Sequence, residues 1–154
     1  AYIGPDPRTT TQARMLPPIA TIIENFEFIE DDYMRLEYLI ELGRALPEMP
    51  ESLRREENRV HGCESQVWID TAVAQTPEGP RLALHGFSDS FVVKGFVALM
   101  VALYTGKSPR EAAETDGFDL FRQLHFGAHV TSKRSNGVRA MVERINRDAA
   151  RLAA

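Results

Sequence analysis

Gln66-Val67-Trp68-Ile69-Asp70-Thr71-Ala72-Val73-Ala74, then Thr76-Pro77-Glu78-Gly79-Pro80, then Arg81-Leu82-Ala83-Leu84-His85-Gly86 is the stretch that decides the fold class. In the first part Val67, Ile69, Thr71 and Val73 alternate with Gln66, Trp68, Asp70 and Ala72, the period of two of a half-buried strand. The middle part carries turn chemistry. The last puts Leu82 and Leu84 on one face. Together they predict an antiparallel hairpin, with a weaker third strand around Asn58 to His61. A lone hairpin is marginal in water, so the sheet needs helices over one face.

Helices are predicted on both sides of this hairpin. Downstream, Ser88-Asp89-Ser90 offers an N-cap to Phe91–Tyr104, whose only charge is Lys94. Fourteen residues are too few to cross a bilayer, which needs about 20, so this reads as a core helix ended by Thr105-Gly106. Ser108-Pro109-Arg110-Glu111 has the form of a capping box with Pro at the first helical position. A last helix is expected from Thr131 or Ser132, with Val138, Met141, Val142, Ile145, Ala149 and Leu152 at helical period. Upstream, Ile19 to Ile29 carries Ile19, Ile22, Ile23, Phe26 and Ile29 at helical spacing. Asp31 or Asp32 caps a second helix through Leu46, with Leu36, Leu39, Ile40, Gly43 and Leu46 inward, before Pro47 and Pro50 stop it. Residues 1–18 hold four of the nine prolines and read as a flexible tail, leaving 19–154 as one domain. Helices, a small antiparallel sheet of about three strands, then more helices make the class α+β.

The chain has 154 residues and 44% apolar content, which suits a single domain with a packed core. A net charge of -4 and a pI near 5.6 argue against a general nucleic-acid binder. The charge is uneven: Glu24–Glu57 holds 11 acids and 4 bases, whereas Lys133–Arg151 holds 6 bases and 2 acids. Two solvated faces explain this, and steering of a partner is compatible with it.

A single cysteine, Cys63, excludes an internal disulfide, Cys-x-x-Cys redox chemistry, a four-cysteine zinc site and a cluster held by cysteines of one chain. A free thiol favours a reducing, cytoplasmic setting. Cys63 stands just before the first strand, and Gly62 beside it permits positive φ. Such a site suits a reactive thiol at a loop tip. A small buried hydrophobe is the competing reading, weakened by the polar run Glu64-Ser65-Gln66. A Cys-x5-Arg phosphate cradle fails because Ile69 occupies the arginine position. His61, His85, His125 and His129 are candidate bases for a Cys/His hydrolase or transferase, yet none sits in a signature of that chemistry. His125 and His129 lack the glutamate of His-Glu-x-x-His, and no Gly-rich phosphate loop occurs. Lys133-Arg134-Ser135-Asn136-Gly137 is basic and falls near an expected helix start, where cations oppose the macrodipole. That placement hints at anion binding or thiolate support.

Gly62-Cys63-Glu64-Ser65-Gln66-Val67-Trp68 resembles the Gly-Cys-x-Ser-Gln-Val-Trp signature of the SufE family. Leu39-Ile40-Glu41-Leu42-Gly43 with Leu46-Pro47, Ser88-Asp89-Ser90 with Val93-Lys94-Gly95, and His129 through Gly137 resemble further family motifs in the same order. One departure is Ser132-Lys133, where the family has Pro-Ser before the arginine. The resemblance implies a SufE/IscU-like fold and a sulfur acceptor of iron–sulfur cluster assembly. By motif position Cys63 becomes the persulfide-carrying nucleophile, with Arg134, His129 and Asp89 in support. No cofactor or metal of its own is implied; pyridoxal phosphate belongs to the partner. The implied partners are a SufS-like or CsdA-like cysteine desulfurase, which the protein stimulates, and a SufBCD-like scaffold. Neither a nucleic-acid nor a membrane partner is expected, and the chain is expected as a monomer or weak dimer.

Overall fold

A computed structural model describes residues 16–154. Along the chain come α1 (Ile19–Glu27), α2 (Asp32–Ala45), 3-10 turns at Glu51–Leu53 and Glu56–Asn58, β1 (Val67–Thr76) and β2 (Gly79–Ser88). Then follow α3 (Phe91–Tyr104), α4 (Pro109–Glu114), α5 (Gly117–Gln123) and α6 (Ala128–Ala153). The class is α+β, as the hairpin and its flanking periodicities predict. Most of the predicted tail lies outside the described residues. Its last part does not behave as a tail: Leu16 is buried in the core.

The hairpin is longer than its alternation suggests. β1 and β2 pair antiparallel from Val67↔Ser88 to Thr76↔Gly79, leaving only Pro77-Glu78 as the turn. Gly79 takes φ +106°, and the Thr76 hydroxyl donates to the Gly79 carbonyl at 2.7 Å. The third strand shrinks to one bridge, Arg59↔Trp68, beside a Val60 N–H to Val67 carbonyl bond of 2.8 Å. A 3-10 turn at Glu56–Asn58 precedes that bridge and the bend at Gly62 follows it, so no room remains for a longer pairing.

α3 is the central element. Its sides from Val93 to Val101 are almost wholly buried, between α2, the sheet and α6. Ser90 caps it by accepting from the Val93 N–H at 3.3 Å. α2 lies against α3 backbone to backbone: a Cβ on Gly95 would sit 2.5 Å from the Leu39 carbonyl oxygen, and one on Gly43 would sit 2.9 Å from the Gly95 nitrogen. Only glycine fits this crossing. Gly95→Ala is therefore expected to lower unfolding stability by about 2 kcal/mol, read by urea denaturation; an unchanged midpoint would show that the helices can move apart freely. Beyond α3, Phe26, Phe96, Phe121 and Phe126 join α1, α3, α5 and the loop before α6, edge to face at 5.2–5.4 Å.

Asp31, one of the two expected caps, caps α2, accepting from Tyr33 and Met34 N–H groups. Two details differ from the sequence expectation. α5, capped by Asp116, is too short to announce itself by periodicity. α6 begins at Ala128, three to four residues before the expected start, because Gly127 at φ +89° ends the preceding loop without a Ser/Thr/Asp cap. Lys133 and Arg134 accordingly sit in the second turn, where the macrodipole no longer opposes a cation.

α6 is fastened to the segment that leads to Cys63. The Arg144 guanidinium pairs with Asp148 at 2.8 Å and donates to Asn58 Oδ1 and the Ile69 carbonyl, both at 3.2 Å. Asn58 in turn donates to the Leu53 carbonyl at 2.8 Å. Among the described residues no ion pair joins the acidic segment to the basic one, so their attraction is not made in contacts.

Candidate functional site

Cys63 sits in the bend between the Arg59↔Trp68 bridge and β1. Gly62 adopts φ +101°, which an L side chain rarely takes, and so turns the chain sharply before the cysteine. The loop is tied at its far end: Asp89 Oδ1 accepts from the Gln66 N–H at 3.1 Å, and the Asp89 N–H reaches the Gln66 carbonyl at 3.4 Å.

The thiol is half-buried and turned inward against α6. Cys63 Sγ donates to the Gly137 carbonyl at 3.5 Å, and a Cβ on Gly137 would sit 3.1 Å from the sulfur. Gly137 is thus a notch that seats the thiol. Beside it is a pocket of about 100 Å³ with two characters. Val93, Phe96 and Met141 make an apolar wall; Lys133 and Arg134 make a cationic one, and Glu64, a carboxylate, also lines the pocket. A volume of this size admits a few atoms, such as an added sulfur, and no sizeable organic substrate.

Burial pushes the Cys63 thiol above its ordinary pKa; the charges of Arg134, and then Arg59, pull it back. Desolvation wins, so the resting thiol is protonated at neutral pH and its thiolate grows in as pH rises. Alkylation of Cys63 by iodoacetamide is therefore expected to climb about tenfold per pH unit through pH 8–9 and to reach half-maximum above the usual cysteine value. Arg134→Gln removes a charge that favours the thiolate and moves that midpoint higher still. A midpoint near 7 in the parent protein, or no shift in Arg134→Gln, would contradict this balance.

Of the residues named with Cys63, the structure brings Arg134 to the pocket. Asp89 fastens the loop and does not line the pocket. His129 is exposed on the first turn of α6 and does not line it either. His61 pairs with Glu56 at 3.2 Å, and His85 lies on β2. No histidine lines the Cys63 pocket. Trp68 is also elsewhere: its ring stacks with the Arg59 guanidinium at 5.3 Å and lies 6.1 Å from Phe87. Shelter for the thiol comes from α3 and α6. Among the described residues no group of three His, Cys, Asp or Glu side chains is placed to hold a metal ion. No helix among them is long and apolar enough to cross a membrane.

Arg59 and the seat formed by Gly137 are neighbours of the thiol that need the third dimension, whereas Lys133 lies in the basic run already read as support for a thiolate. Arg59 is four residues from Cys63 in an irregular segment, and Gly137 is 74 residues away.

Comparison with known proteins gives one consistent result. Residues 20–149 match the SufE family model, described as an Fe-S metabolism associated domain. An uncharacterized SufE-like protein of Rhizobium etli is 44% identical over 128 residues, 83% of this chain and 86% of that protein. A second, from Rhizobium meliloti, is 42% identical over 128 residues, covering 83% and 91% of the two chains. With the domain match running across nearly the whole described fold and including the Cys63 loop, the chain belongs to the SufE family.

Proposed function

We propose that this protein accepts sulfane sulfur on Cys63 from a cysteine desulfurase, stimulates that enzyme and delivers the sulfur to an iron–sulfur cluster scaffold. The observation that carries the reading is the seated thiol. The sole cysteine lies in a pocket of about 100 Å³, with Lys133 and Arg134 on one wall and no histidine lining it.

The transfer is a displacement at sulfur. The Cys63 thiolate attacks the terminal sulfur of the donor's Cys-S-SH. A new S–S bond forms on Cys63, the donor's S–S bond breaks, and its electron pair leaves on the donor cysteine as a thiolate. That thiolate takes up the proton which Cys63 released. One persulfide and one thiol become one thiol and one persulfide, so no oxidant or reductant is consumed. Pyridoxal phosphate acts in the partner. In this chain Arg134 and Arg59 favour the anionic form of the attacking and carried sulfur, and the apolar wall of Val93, Phe96 and Met141 keeps water from it. The absence of a second cysteine leaves no internal thiol to displace the cargo as sulfide.

Because the thiol faces inward, transfer requires the Cys63 loop to turn outward on docking. Gly62 and the two Asp89–Gln66 hydrogen bonds are the points that allow it. SufS-like and CsdA-like enzymes are the partner class, and a SufBCD-like scaffold is the acceptor class. The test is sulfide release from L-cysteine by such a desulfurase with and without this protein, alongside hydrogen exchange of the Cys63 loop. A several-fold rise in turnover and faster loop exchange on mixing are expected. No rise, or partner-free turnover of a thioester, would favour a hydrolase instead.

A further inference from the structure

A second concave feature lies away from the thiol, along the outer edge of β2. Its main-chain polarity follows from two bonds: the Leu82 N–H donates to the Lys107 carbonyl at 2.8 Å, and the Leu82 carbonyl accepts from the Gly106 N–H at 3.0 Å. Both main-chain groups of Leu82 therefore point away from β1. Strand geometry repeats every two residues, so those of Leu84 and Gly86 point the same way. Pro80 obeys this parity, its missing N–H falling on the outer side. The Gly106-Lys107 turn thus occupies the lane of a third strand beside Leu82 and then leaves it. Beside Leu84 and Gly86 no main-chain partner takes over among the described residues.

This stretch of edge opens into a groove of about 330 Å³. The Ala83–Gly86 stretch, the C-terminal turn of α3, the Thr105–Lys107 turn and the Leu16–Ile19 segment line it. Pro17 and Pro18 in that last segment have no N–H to offer the edge. The buried Thr105 hydroxyl and His85 Nδ1 also lack hydrogen-bond partners. The Lys107 ammonium has no carboxylate partner among the described residues. Unpaired polar groups beside Leu46, Val101 and Leu103 are costly left alone. Alternating donors and acceptors at two-residue spacing match a peptide backbone, not a hydrocarbon chain, and the walled groove admits one strand more readily than the edge of a second folded copy.

We propose that the free edge of β2 is a docking lane for an extended segment of another protein, which adds as a strand beside Leu84 and Gly86. The segment is apolar at alternate positions and carries a carboxylate that meets Lys107. Main-chain bonds to the edge supply affinity, and the apolar groove with Lys107 supplies selectivity. This site is separate from the Cys63 pocket, with which it shares no lining residue, and does not depend on the sulfur-transfer reading.

The test is amide NMR of the full-length protein titrated with the peptide acetyl-Val-Thr-Val-Glu-Val-Thr-amide at concentrations on the order of 1 mM. Saturable shifts and slowed exchange at the Leu84 and Gly86 amides are expected. Lys107→Glu should weaken binding about fivefold, and the same peptide N-methylated along its pairing edge should give no shift. Absence of a saturable shift at both amides overturns the proposal. So does exchange of Leu84 and Gly86 in the free protein as slow as that of Ala83 and His85, which would show the lane already filled by the chain itself. Shifts that grow with protein concentration without peptide overturn it in favour of self-association.

Discussion

Cys63→Ser is expected to abolish stimulation of the desulfurase completely while leaving the fold intact. A serine hydroxyl is close to the thiol in size, so the seat against Gly137 survives and stability should change by no more than about 1 kcal/mol. It is not, however, a nucleophile toward sulfane sulfur, and it is not ionised at neutral pH. The informative comparison is sulfide release with the parent protein, with Cys63→Ser and with no addition, together with thermal unfolding of both proteins. Turnover with Cys63→Ser equal to that with the parent would mean that the protein acts by contact alone.

The second large effect concerns Arg35, whose guanidinium works as a cap for two helices at once. It donates to the carbonyls of Phe26 and Ile29 at the end of α1 and just beyond, and to those of Leu124 and His125 after α5. A cation at helix C-termini also matches the local dipoles, and the same guanidinium lies 5.2 Å from the Phe26 ring centroid. Arg35→Met leaves these carbonyls without their donor and is expected to cost about 3 kcal/mol, seen as a lowered urea midpoint. Arg35→Lys should recover only part of the loss, since one ammonium cannot reach four carbonyls from two directions. A cost under about 1 kcal/mol would show that water replaces the guanidinium well.

Legibility in the sequence followed the range of the interaction. Phe91–Tyr104 was readable to the residue because its unbroken apolar run, Ser90 cap and Thr105-Gly106 stop are all local signals. The hairpin was readable in kind, but pairs were missed at both ends: Gln75↔Pro80 and Thr76↔Gly79, where Thr76 closes the turn with a side-chain bond that alternation does not encode, and Trp68↔Phe87 and Val67↔Ser88 beyond the expected end of the second strand. The start of α6 was misplaced because Gly127 ends the loop through backbone conformation and not through a capping side chain. Arg35 had no readable role: an arginine between Met34 and Leu36 looks like a solvated position until α5 is placed beside it.

The site divides in the same way. Cys63 and its turn follow from residue type, from Gly62 and from the family motif. Seating by Gly137 and the apolar wall from α3 arise from packing between segments far apart in the chain, and the charge of Arg59 reaches the thiol only through the turn at Gly62. The motif names Asp89 and His129 together with Arg134, but the structure gives the three different positions. Arg134 faces the pocket, Asp89 holds the loop, and His129 stands outside.

The most direct test of the central claim is the intact mass of this protein after incubation with a cysteine desulfurase and L-cysteine. A gain of one sulfur atom per chain, located at Cys63 by fragmentation and removed by a reductant, is expected. A chain of unchanged mass, recovered while the desulfurase turns over with it, would contradict the claim.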